Sequence, residues 1–145
     1  MVYLLDVNLL IALIDIRHIH NEIAHRWVAG HSESLNWATC PLVENAFVRI
    51  LGNPSYPNSP GTAGAALSLL RENCSSPKHT FWPDDVSICD DTLFANPALV
   101  GSAQVTDLYL LALAVKKGGK LASFDRRIPA HLIRGGKEAL HLLTN

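Results

Sequence analysis

The stretch Val105-Thr106-Asp107-Leu108-Tyr109-Leu110-Leu111-Ala112-Leu113-Ala114-Val115 holds a single charge. Good helix formers dominate it. Val105, Leu108, Ala112 and Val115 recur at helical spacing, so the stretch predicts a largely buried helix. Thr106 is placed to cap its start, which puts Asp107 in the first turn. An acid there favours the positive end of the helix dipole, and alone it says no more than that. Asp107 becomes a candidate metal ligand only if other carboxylates converge on it. Asp6, Glu44 and Asp125 are the candidates elsewhere in the chain.

Working outward, Gly118-Gly119 gives a helix C-cap signal. Residues 120–124 then read as a strand with Asp125 at its end. Residues 126–131 form a short turn or helix, and 139–143 a last strand. Towards the N-terminus, 96–104 is a loop, and Asp90-Asp91-Thr92-Leu93-Phe94 suggests a short capped helix. Residues 78–82 suit a strand, followed by a Pro83-Asp84-Asp85 turn. Residues 62–73 read as a helix. Residues 52–61, with three prolines, are a loop too short for a domain boundary.

Pro41 favours a helix start, because its missing N–H would be unpaired there anyway. That helix runs to about Leu51 and carries Glu44 early. Residues 35–39 suit a strand. Ile23, Ala24, Trp27 and Val28 mark one face of a helix that stops near Gly30. Val2-Tyr3-Leu4-Leu5 is an apolar, β-prone run that reads as a buried central strand. Asp6 falls at its C-terminal end, Asn8 lies two residues on, and 9–14 suits a helix. Strands alternate with helices. The expected fold is α/β, with a central, mainly parallel β-sheet flanked by helices on both faces.

Composition bounds the rest. A chain of 145 residues that is 48% hydrophobic predicts one domain with a sizeable core. The apolar run over 3–14 is interrupted by Asp6 and Asn8. It is too short and polar for a membrane span and lacks a basic leader. Cys40, Cys74 and Cys89 are odd in number, far apart and without paired metal-ligand spacing. They fit a reduced, cytoplasmic setting with buried thiols. The net charge of −1 gives no global attraction for nucleic acid. Yet Lys116, Lys117, Lys120, Arg126, Arg127, Arg134 and Lys137 crowd the C-terminal part. They form either a phosphate-facing patch or a solvated edge.

Asp6 and Asp125 each follow a strand directly, and in open α/β sheets ligands bind at that edge. Glu44 and Asp107 reach the same rim if their helices start there. Carboxylates that close repel one another, and some take up protons unless a cation neutralises them. Hard oxygen donors with no matched Cys or His favour Mg²⁺ or Mn²⁺ over Zn²⁺. Such ions can activate a water and stabilise the leaving oxygen of a phosphodiester. Asn8 would orient a ligand. Thr106 and Ser123 would support the acids or serve as cap and strand-end hydrogen-bonding groups.

Together these residues resemble a known family. Leu4-Leu5-Asp6-Val7-Asn8, Glu44 early in a helix, Thr106-Asp107-Leu108-Tyr109 and Ser123-Phe124-Asp125-Arg126-Arg127 look like the four acidic motifs of PIN-domain ribonucleases, in the same order and spacing. The closest resemblance is to the VapC type, the toxin half of prokaryotic toxin–antitoxin pairs. It covers nearly the whole chain and includes the RILGNPSYPNSP segment at 49–60 and Phe81-Trp82-Pro83-Asp84-Asp85. It implies a single PIN domain over 1–145 and a Mg²⁺- or Mn²⁺-dependent endoribonuclease that slows translation when released. It implies Asp6, Glu44, Asp107 and Asp125 as the residues that hold metal. It also implies an RNA substrate, a VapB-type antitoxin whose tail occupies the acidic groove, and a homodimer that forms a heterotetramer or larger assembly with it.

Other readings stand beside this one. A phosphatase with Asp6 as nucleophile would want a second acid where Asn8 stands. A PIN-like module that binds RNA or protein without turnover would want a more basic groove. His18, His20 and His25 match no zinc pattern and read as solvated or partner-facing. Asp84, Asp85, Asp90 and Asp91 suit turns and helix caps. Trp27, Trp37, Phe47 and Phe124 read as core. Trp82 and Tyr56 either pack under their loops or stack on RNA bases.

Overall fold

β1 (Val2–Leu5) is the middle strand of a five-stranded sheet ordered β3-β2-β1-β4-β5. The computed structural model describes residues 1–31 and 35–144. β2 (Asn36–Thr39) and β4 (Lys120–Ser123) flank β1, with Tyr3 opposite Trp37 and Leu4 opposite Leu121. β3 (His79–Phe81) and β5 (Leu140–Leu142) lie outside them, and every pairing is parallel. A strand covered on both faces has no polar side to show, which is why β1 could be read from one apolar run. Leu4, Leu5, Ala38, Leu121 and Ala122 are all buried.

Parallel strands need crossover helices, and right-handed crossovers sort them by direction of travel. From β1 to β3 the chain moves one way through α1 (Val7–Ile14), α2 (Asn21–Gly30), α3 (Pro41–Leu51) and α4 (Ala63–Cys74); α1 packs on both α2 and α3, and α3 packs on α4. It then returns past β1 through α5 (Val105–Lys116) to β4, and α6 (Gly136–Ala139) leads to β5. α5 packs on β4, β1 and α6. The reversal puts a crevice between the C-terminal ends of β1 and β4, where connections leave in opposite directions.

α5 is buried from Leu108 to Ala114 without a break. Its end is a Schellman motif: Gly118 N–H donates to Val115 O and Gly119 N–H to Ala114 O, with Gly118 at φ +70°. Its start differs from the expectation. The helix begins at Val105 after a 3₁₀ turn over Ser102–Gln104, and Thr106 makes no cap. Gln104 holds that turn by accepting from Gly101 N–H. α3 starts at Pro41 as read, and its capping carboxylate comes from afar: Leu42 N–H donates to Asp84 Oδ2. The capping reading of Asp84 thereby holds.

The short helix expected at 90–94 is not formed. Asp90 Oδ1 accepts from Thr92 N–H and Thr92 Oγ1, and Phe94 pairs with Ile133 in an isolated antiparallel bridge. An acid two residues before threonine serves a turn as readily as a cap, and the distant bridge selects the turn. The thiols also differ from expectation. Only Cys40 is buried, Cys74 is half-buried and Cys89 is exposed. Trp82 is buried in the core, which favours packing over RNA stacking. No helix among the described residues is long and apolar enough to cross a membrane.

The loop after α3 is fastened by one acid. Asp15 ends α1 and is buried, and its carboxylate accepts from Arg17 N–H, Tyr56 Oη (2.5 Å) and Asn58 Nδ2 (2.9 Å). Burial pushes this carboxyl up, but the hydrogen bonds from Tyr56 and Asn58 outweigh burial and hold it below its ordinary value. Asp15→Ala should therefore cost about 2 kcal/mol of stability at neutral pH, since it removes hydrogen bonds from half-buried Tyr56 and Asn58 to a charged, buried acceptor. A depressed carboxyl contributes above its unfolded pKa and loses that contribution as pH falls through the folded one. Urea unfolding should show the gap between wild type and variant closing below about pH 4.

Candidate active site

Asp6 ends β1 and precedes α1, and it is only 5% exposed. Its main-chain N–H continues the ladder to Ala122 O, which ties it to β4. One hydroxyl then joins the two strand ends. Ser123 Oγ donates to Asp6 Oδ2 at 2.7 Å and accepts from Asp125 N–H at 3.0 Å. Ser123 is fully buried, so these are the bonds available to it. Asp125 is held from the other side by Arg127, whose Nε and main-chain N–H reach Oδ1 at 3.1 and 2.9 Å.

Asp107 enters from the first turn of α5 and is half-buried. Its carboxyl is pushed up to about 6 by burial and then by the neighbouring charges of Asp6 and Asp125, with Arg127 opposing. Asp6 is raised as well. Burial is the main cause, the Ser123 hydroxyl pulls it back, and Asp125 adds to the rise. Asp125 alone falls below its ordinary value, because Arg127 hydrogen-bonds it. Three carboxylates thus share one cation, and two of them are still short of positive charge.

The structure therefore brings Asp6, Asp107 and Asp125 together at the crevice between β1 and β4. Glu44 is engaged differently. Thr39 Oγ1 donates to its Oε2 at 2.6 Å and takes a hydrogen bond from His79 Nε2 at 2.7 Å. Glu44, Cys74 and His79 bring their donor atoms within 4.8 Å of one another. This mixed set differs from the carboxylate cluster, and Thr39 already joins two of its members. Thr106 is exposed and makes no cap. Asn8 is exposed and lines a groove with Asp125, His18, His20 and Phe124.

The sequence reads His18 and His20 as solvated or partner-facing and Phe124 as core, and it gives no signal for Thr39. Phe124 is half-buried and packs on the His20 ring. The available signals were thin: an aromatic residue directly before a strand-end acid, and two imidazoles in the link after the helix that Asp6 begins. The basic residues divide. Arg126 and Arg127 lie at the groove, whereas Lys116 and Lys117 bind Asp85 at the far end of α5. That end is about 15 Å along the helix from Asp107. The C-terminal basic residues are thus not one patch.

A five-stranded parallel sheet with clustered aspartates at its switch point defines an α/β protein of the PIN-like class. Comparison with known proteins narrows this. Ribonuclease VapC44 of Mycobacterium tuberculosis is 40% identical over 141 residues, which is 97% of each chain. Ribonuclease VapC39 of the same organism is 39% identical over 140 residues, 97% of this chain and 100% of that one. Ribonuclease VapC38 is 40% identical over 142 residues. No family model matches the chain. A crystal structure of VapBC2 from Rickettsia felis bound to a DNA fragment from their promoter shares the fold, with a TM-score of 0.64 at 15% identity over 99% of this chain and all of that one. The chain belongs to the VapC family of PIN-domain ribonucleases.

Proposed function

We propose that this chain is a divalent-metal-dependent endoribonuclease, the toxin of a toxin–antitoxin pair, acting as one domain over residues 1–145. The observation that carries the reading is the crowding of Asp6, Asp107 and Asp125 at the β1–β4 crevice. The donor set fits Mg²⁺ or Mn²⁺: its donors are hard carboxylate oxygens, and among the described residues Arg127 is the cation that offsets their charge. Asp6, Asp107 and Asp125 would hold the ion. Glu44 takes the same role by resemblance, but its bond to Thr39 makes it the weakest member. When bound, the ion supplies charge neutralisation for the attacked phosphodiester and eases deprotonation of water.

The chain's own residues do the positioning. Ser123 fixes the Asp6 carboxylate by donating to it, and it fixes Asp125 through that residue's N–H. Asp107 sits on a helix buried on all sides, so its carboxylate is delivered from a rigid element. Arg127 holds Asp125 charged and leaves other guanidinium donors free for a phosphate. Asn8, exposed on the first turn of α1, offers an amide to a ligand in the same groove.

The partner of this site is an RNA, and its natural inhibitor is a VapB-type antitoxin whose tail fills the acidic groove. The VapBC2 complex supports an antitoxin partner. The homodimer and the heterotetramer or larger assembly belong to the same reading. The experiment that tests it is digestion of a mixed RNA pool by the purified protein, with Mg²⁺ and with EDTA. Cuts that need the metal are expected. Absence of any cut, with total cellular RNA including tRNA also tried, contradicts the enzyme reading and leaves a module that binds RNA or protein without turnover.

A further inference from the structure

Asp125, the member of the acidic cluster that reaches it, lines a groove of about 550 Å³ together with Asn8, His18, Ile19, His20 and Phe124. Its chemistry changes along its length. The rings of His20 and Phe124 lie 4.9 Å apart and tilted by 33°, and the His18 ring follows 5.6 Å from His20. Ile19, between the two imidazoles, is 85% exposed, an apolar side chain left in water. Arg126 and Arg127 stand on the same groove, and the Arg127 side chain is 90% exposed although it pairs with Asp125. Half-buried rings, an apolar shoulder and two cations are the groups that recognise an unstacked base and its phosphates. Sequence-tolerant stacking needs only a π-face, which every base has.

We propose that this groove seats a nucleobase of single-stranded RNA beside the scissile phosphodiester, stacked on His20 and Phe124, with Arg126 and Arg127 on the flanking phosphates. The inference rests on the reading of the acidic cluster as an RNA-cutting site, and it adds where the substrate lies. His20 and Phe124 are binding residues that hold a base next to the cut.

The test compares His20→Ala and Phe124→Ala with the ring-keeping His20→Phe and Phe124→Tyr. Binding of a fluorescein-labelled single-stranded RNA of mixed sequence is read by anisotropy, in an Asp107→Asn background. KM and kcat are read in the otherwise native protein, and melting temperature checks the fold. The alanine variants should weaken RNA binding and raise KM by about tenfold, the size expected for one lost stack. kcat should change less, and the ring-keeping variants should recover most of the loss. His20→Ala decides the matter if Phe124→Ala melts low. Alanine variants that bind and cut like the native chain overturn the groove assignment, leave the nuclease reading standing, and give the groove to a protein partner. Failure of the ring-keeping variants to recover binding, or a native chain that binds no RNA, also overturns it. RNA binding that needs His20 and Phe124 in a chain that cuts nothing supports the groove and overturns the nuclease reading instead.

Discussion

Asp107→Asn should lower RNA cleavage by about a thousandfold or more, and Asp6→Asn should do the same. The amide keeps the size of the carboxylate and removes its charge. Neither acid has a structural task that requires ionisation. Asp6 makes no side-chain cap on α1, and Asp107 meets burial and two like charges. Losing that charge relieves repulsion, so circular dichroism should be unchanged and the metal-free Asp107→Asn protein should melt no lower than wild type. This pairing separates a site residue from a folding residue, because a structural acid would lose activity and stability together. Full activity in either variant would remove that acid from the site.

Gly119→Ala should destabilise the protein by about 2–3 kcal/mol or more, although it adds one methyl group. A Cβ at this position would lie 2.4 Å from Val2 O and 2.7 Å from the Trp82 ring. The first of these is backbone of the central strand and cannot give way alone. Gly119 also completes the end of α5 and leads into β4, so relief of the clash would shift the strand that carries Ser123 and ends at Asp125. Chemical denaturation measures the loss. Cleavage by the folded fraction should also fall, because the two strand ends that Ser123 joins would no longer be in register. Wild-type stability in this variant would mean that β1, Trp82 and the α5–β4 turn adapt together.

Both predictions rest on features whose legibility in the sequence differs. β1, β4 and the buried α5 could be read because short apolar runs closed by an acid, and a helix without a polar face, carry their own signal. Pro41 marked the start of α3 for the same local reason. Asp6 and Asp125 were found as strand-end acids, and Asp107 as an acid in a first helical turn. Their convergence was a matter of strand order, which no local pattern encodes. Where a distant contact decides between local options, the sequence misled. Asp90 to Phe94 could cap a helix or close a turn, and the bridge from Phe94 to Ile133 chose the turn. Thr106 could cap α5, but the preceding 3₁₀ turn starts the helix two residues earlier, at Val105. The carboxylate of Glu44 turns to Thr39, which also bonds His79, a link across β2 and β3 that spacing does not reveal. The groove beside Asp125 was missed because its two histidines come from a link with no periodicity.

In the proposed reading Asp6, Asp107 and Asp125 form one cation site. The most direct measurement is the melting temperature of wild type and Asp107→Asn, with and without millimolar Mn²⁺ or Mg²⁺. An ion that binds only the folded cluster should raise the wild-type value by about 3–5 °C near neutral pH. The Asp107 carboxyl is raised in the folded chain, to about 6, so protonation there stabilises the metal-free protein below about pH 4 and that contribution is lost as pH rises through about 6. The metal-induced shift should therefore shrink at about pH 5, where protons compete for the site, and it should be largely absent in Asp107→Asn at either pH. No shift in wild type at neutral pH, or an equal shift in Asp107→Asn, would contradict the account.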